Sequence, residues 1–150
     1  MKKRNQAMDV LINRFREHQE DLCIKTLKHN PNTEIYDADM PALVLTNSID
    51  VIIKDTSRNI RGIPMIRSFT LMAELIINRK NTDLDLIQSV CLMRDILLDQ
   101  PYPLTLDDGK PDRTTYFREL GIEGPYSYRV AYIEGVKLMI GLIYEDNGTY

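Results

Sequence analysis

The stretch from Met40 to Asn78 constrains this chain more than any other, because it reads as two long hydrophobic arms about one polar turn. In the first arm Leu43, Leu45, Ile49, Val51 and Ile53 share one parity, and Thr46, Ser48, Asp50 and Lys54 the other. In the second, Met65, Phe69, Leu71, Ala73, Leu75 and Ile77 alternate with Ser68, Thr70, Glu74 and Asn78. A period of two marks a half-buried strand, since successive side chains leave opposite faces of the pleat. Asp55 to Pro64 between the arms is rich in turn formers and charge. The pattern predicts a long antiparallel hairpin, with strands over 42–54 and 65–78. Pro41 and Pro64 stand at the strand starts, where a missing N–H costs least.

The flanking segments read as helices. Met8, Leu11, Ile12, Phe15 and Leu22 keep an i, i+3, i+4 rhythm, predicting a helix over 6–28 that Asn30-Pro31 ends. Thr82 is a candidate N-cap, with Asp83 and Asp85 in the first turn of a helix over 83–99 that Pro101 stops. Residues 100–125 carry four of the seven prolines and three of the seven glycines, so they read as a variable interaction loop. A short helix from Arg113 to Leu120, with Tyr116, Phe117 and Leu120 facing in, fits inside it. The closing segment 126–144 reads as a second hairpin turning near Glu134-Gly135, its tyrosines Tyr126, Tyr128, Tyr132 and Tyr144 forming a core-facing ladder. The sum is one domain over 1–150 of α+β class. Its mostly antiparallel sheet consists of two long hairpins packed against two main helices, in the order α-β-β-α-β-β.

Chemistry is sparse in the residues. A net charge of −3 excludes a generic duplex-DNA binder, whose domain is normally basic. Asn5, Gln6, Asp9 and Asn13 interrupt any signal-like apolar run after the basic start, and no stretch reaches the ~20 apolar residues that span a bilayer, so the chain is expected to fold in the cytoplasm without a membrane. Cys23 and Cys91 share no CxxC spacing and, on predicted helices, read as buried free thiols. His18 and His29 suit neither a zinc site nor a catalytic dyad. Asp37-Ala38-Asp39 and Asp107-Asp108-Gly109 offer too few ligands for a calcium loop and read as turns. No catalytic, cofactor-binding or metal-ligating residues are assigned, and no enzyme activity is expected. Arg58, Arg61 and Arg67, with Arg79 and Lys80, place positive charge at opposite ends of the first hairpin. Arg58, Arg61, Ile63, Arg113 and Tyr116, on the two predicted loops, are the candidate interface residues.

Asp37-Ala38-Asp39-Met40-Pro41-Ala42-Leu43-Val44, an acidic connector and a hydrophobic-Pro-Ala step into the first strand, resembles the tail terminator family of long-tailed bacteriophages, of the lambda minor tail protein U type. The element order resembles it too, from the N-terminal amphipathic helix to the closing strand Val136 to Glu145. The resemblance implies a structural virion protein of the tail or neck without enzyme activity. Such a protein forms a homo-oligomeric ring, expected as a hexamer, on the tail tube protein. It ends tail polymerisation and offers the head-tail connector a joining surface. Duplex DNA then passes the lumen without sequence-specific contact, which an acidic lining favours. Two other readings fit the residues: a PAS- or GAF-like sensory domain binding a small molecule, and a phage-encoded inhibitor of a host protein.

Overall fold

The computed structural model describes residues 2–32, 34–55, 65–99, 102–106 and 109–146. Helix α1 (Lys2–Glu17) opens the chain, followed by β1 (Thr26–His29) and a single 3-10 turn (Asp37–Asp39). Strands β2 (Ala42–Asp55) and β3 (Met65–Asn78) come next, then helix α2 (Leu86–Leu98). Two short strands, β4 (Leu104–Thr105) and β5 (Pro111–Asp112), precede the long β6 (Tyr116–Ser127) and β7 (Ile133–Asp146). The main sheet has the order β1-β2-β3-β7-β6, antiparallel except where β1 pairs with β2, while β4 and β5 form a separate ribbon. The class is α+β, as the sequence predicts.

Both helices lie on one side of the sheet and share a single core with it. Ala7, Met8, Leu11 and Phe15 of α1, and Leu86, Val90, Met93 and Leu97 of α2, pack on the odd-numbered residues of β3 and the even-numbered residues of β7. Asp85, not Thr82, caps α2: its carboxylate accepts from the amides of Ile87 (3.0 Å) and Gln88 (3.3 Å), stabilising the helix by about 1 kcal/mol. The Thr82 hydroxyl accepts instead from the Leu84 amide.

The hairpin of β2 and β3 forms where its alternation predicts, and β3 buries the odd-numbered face from Phe69 to Ile77. The far half of β2 departs from expectation. Ser48 and Ile49 together oppose Thr70, a β-bulge that shifts the phase of the residues after it as far as Ile52. Asp50 therefore sits beside Phe69 on the helix-covered side, while Ile49 is 59% exposed. A second shift at Ile53 restores the original phase, so that Asp55 again pairs with an odd-numbered partner, Met65.

Three other expectations are corrected. The first helix ends at Glu17 rather than Lys28, and Thr26–His29 joins the sheet as an edge strand parallel to β2. Cys23 stands exposed in the intervening turn at φ 56°, and Cys91 is half-buried, so the reading of both thiols as buried fails. Residues 113–120 form no helix: Tyr116 to Ser127 is strand, the last hairpin turns between Ser127 and Ile133, and Glu134-Gly135 lies inside β7. Gly121 (φ 154°) and Gly124 (φ 102°) flank two further bulges, which is why a stretch that looks broken in sequence continues as a strand.

Candidate interaction surface

The sheet face away from the helices divides into a covered and an uncovered half. Near the β1 end, Ala42, Val44, Ile76 and Ile133 form a second small core, closed over by Ile35, Met40 and Tyr132. Beyond Asn47 nothing described covers β2 on this face. Val51 on this face and Ile53 at the next register shift are each about half exposed, as is Ile52 on the opposite face. A cleft of about 490 Å³ opens beside them, lined by Ile53, Ile66, Thr114, Tyr116, Ile143 and Glu145. A contiguous apolar surface of this kind marks a contact site rather than a solvated face.

The sheet edges are equally uneven. β1 covers β2 only from Ala42 to Leu45, after which Asn30 closes the edge: its amide donates to the Leu45 carbonyl, and its side-chain oxygen accepts from the Asn47 amide. Among the described residues, no strand pairs with the outer edge of β2 past Asn47, nor with the outer edge of β6.

Several charged groups near the far half of β2 are matched within the chain. Asp50 receives the Arg4 guanidinium at 2.9 Å and the Tyr144 hydroxyl at 2.5 Å, with Arg67 3.7 Å away. Arg4 also lies 4.7 Å from the Phe69 ring centre, so one side chain fastens the start of α1 to the far half of the hairpin. Burial, then the Asp50 carboxylate, push the Tyr144 phenol well above its usual range. Lys3 reaches Asp112 at 3.0 Å. Burial opposes the Asp112 charge, but the Thr114 hydroxyl and amide together with Lys3 outweigh it and lower the carboxyl to about 2.

On the open face the Tyr126 and Tyr128 hydroxyls both donate to one oxygen of Glu74, their rings edge-on at 5.6 Å. Burial, followed by Glu74, pushes the Tyr128 phenol far above its ordinary value. The Tyr126 ring spans Gly135, where a Cβ would approach it to 3.1 Å, so this glycine is fixed by close packing rather than by a turn. Of the four tyrosines expected to face the core, only Tyr144 is buried there. Tyr132 instead lies under the Lys80 ammonium, 4.0 Å from the ring centre. Among the described residues, the expected core-facing ladder thus reduces to Tyr144.

Arg58, Arg61 and Ile63 lie outside the described residues. Arg113 is an exposed turn residue whose carbonyl accepts from the Tyr102 hydroxyl at 2.6 Å. Tyr116 is exposed at the start of β6 and lines the cleft, so the structure brings it, but not Arg113, to the apolar surface. The predicted cationic end at Arg79 is engaged: its guanidinium bonds to Glu134 and to the Leu84 carbonyl. The residues the sequence reading left out are Ile49, Val51, Ile52 and Ile53, whose hydropathy signals burial and whose exposure depends on the bulge. His18 lies 2.9 Å from Asp21, and His29 2.9 Å from Asn47. Asp39 serves turn chemistry, its carboxylate accepting from the Tyr36 amide.

No protein-family model matches the sequence, and no curated protein is similar to it. Among solved structures, the fold is similar to a chain described as "Virion of native gene transfer agent (GTA) particle", at 10% identity and a TM-score of 0.47, covering 91% of this chain and 92% of that one. At that TM-score the similarity assigns this chain no role.

Proposed function

We propose that this chain is a structural virion protein of a bacteriophage-like particle. In the finer form of this reading it acts as a tail terminator: a ring of copies that caps the tail tube and offers a joining surface to the head connector. The observation that carries the assembly part is the uncovered half of β2, where Val51, Ile52 and Ile53 stand exposed beside an apolar cleft. Apolar surface left open on a folded chain is satisfied by protein contact, and a ring needs each copy to present two unlike patches. The resemblance of the Asp37 to Val44 connector and of the element order to tail terminators supplies the identity of the ring. Charge is compatible with it, since an acidic subunit holds phosphates off the lumen wall while DNA slides through. The partners under this reading are further copies of the chain, the tail tube and connector proteins, and duplex DNA in transit. The reading needs no catalytic step.

Light scattering across a concentration series, with negative-stain images of the largest species, tests the proposal. Rings with a central hole, alone or on added tail tubes, are the expected result. A particle of fixed twofold mass at every concentration, or one that ignores tail tubes, would overturn it.

A further inference from the structure

We infer that copies of this chain join edge to edge, the first half of β6 of one copy pairing antiparallel with the uncovered half of β2 of the next, so that one sheet runs through the seam. The inference rests on the assembly reading and adds to it the surface and the sense of pairing.

Three observations carry it. First, both edges lack a partner strand among the described residues, and an unpaired edge presents backbone N–H and C=O groups ready for another strand. Exposed apolar side chains gather there: Ile49, Val51 and Ile53 on one edge, Tyr116, Leu120 and Ile122 on the other. Between Ser48 and Ile53 charge, the usual guard of an edge, is confined to Asp50, which Arg4, Arg67 and Tyr144 already match.

Second, the directions agree. β2 runs antiparallel to β3, β3 to β7, and β7 to β6, so β2 and β6 point opposite ways. A rotation about an axis along the strands preserves each direction, so β6 meets the next β2 in antiparallel sense. That is the operator of a closed ring.

Third, the heights agree. Val51, Ser68, Ile143 and Tyr116 form one continuous row across the sheet. The free part of β2 thus stands level with the start of β6. The lower part of β6 bends at Gly121 and Gly124, opposite the level where β1 adds an extra strand on the other side. A twofold β6–β6 seam is less well made. Centred on the strand, it would set Tyr116–Glu119 against Gly124–Ser127, where Pro125 has no N–H to give.

The test is a disulfide trap in the full-length chain with Cys23→Ser and Cys91→Ala. Val51→Cys and Tyr116→Cys are prepared as separate proteins, then oxidised alone and mixed. A further mixture of Val51→Cys with Arg118→Cys allows a stagger of two residues. Within one copy Val51 and Tyr116 are three strand spacings apart, about 14 Å, far beyond disulfide reach. Cross-linked dimer at a yield several-fold higher in a mixture than in either variant alone is the expected result. Equal cross-linking of a single variant with itself means a twofold seam and overturns the inference. Absence of cross-links in both mixtures overturns it as well, and the mass of the same samples separates the causes. An oligomer without cross-links rejects the edge seam and leaves the ring standing, whereas a monomer unaffected by tail tubes rejects both.

Discussion

The two halves of β2 have nearly the same hydropathy and opposite fates. Ala42 to Leu45 is covered on one face by the helices, on the other by Ile35 and Met40, and along its edge by β1. Ser48 to Ile53 has β3 and little else, and its isoleucines stand in the open. Burial within a strand is set by what lies alongside it, not by the strand's own residues. A half that keeps its apolar character without neighbours in its own chain is therefore suited to neighbours from another.

That contrast predicts unequal costs of truncation. Leu45→Ala empties a fully buried site and is expected to lose about 3 kcal/mol in urea unfolding, whereas Ile49→Ala should stay within about 0.5 kcal/mol. Similar losses at both sites would mean that the far half is covered in solution. Next in size, Asp50→Ala would take the carboxylate partner from Arg4 and from the Tyr144 hydroxyl. A loss of about 2 kcal/mol is expected, with faster amide exchange in the first turn of α1, and unchanged exchange there would show that Arg4 does not fasten the helix. The smallest effect concerns Asp112. Its carboxyl is lowered from 3.8 to about 2, so its contribution is complete above pH 3.8 and fades as the pH falls through about 2. Asp112→Asn should cost about 1 kcal/mol at pH 7 and flatten the acid limb of the stability profile between those values. A profile identical to that of the parent would remove the Lys3–Asp112 tie from the account.

The hairpin and α2 were legible because their signals are local and long, with alternation over a dozen residues in β3 and a dense apolar face above Asp85. β1 was not. Thr26-Leu27-Lys28-His29 is too short to show a period, and what makes it a strand is parallel pairing with residues sixteen positions on. β6 was hidden by Gly121, Gly124 and Pro125, which read as breakers until the sheet uses them at its bulges. The apolar surface was misread for one reason: a strict period of two cannot register the single extra residue at Ser48-Ile49, so Ile49, Val51 and Ile53 were placed inward. Of the candidate interface residues, Tyr116 was chosen for its loop-like setting, although it belongs to a strand.

The bulge at Ser48-Ile49 also governs how such a chain can vary in length. Odd positions before it and the even positions from Asp50 to Ile52 share the helix-covered side of the sheet. A relative lacking one residue at this point would keep Asn47 beside Leu71 and Asp50 beside Phe69, and every side chain on either side would keep its face. The same deletion a few residues earlier would turn Leu43 or Leu45 outward. Single-residue gaps in alignments of related sequences should therefore collect at this bulge and be rare in the four residues before Thr46.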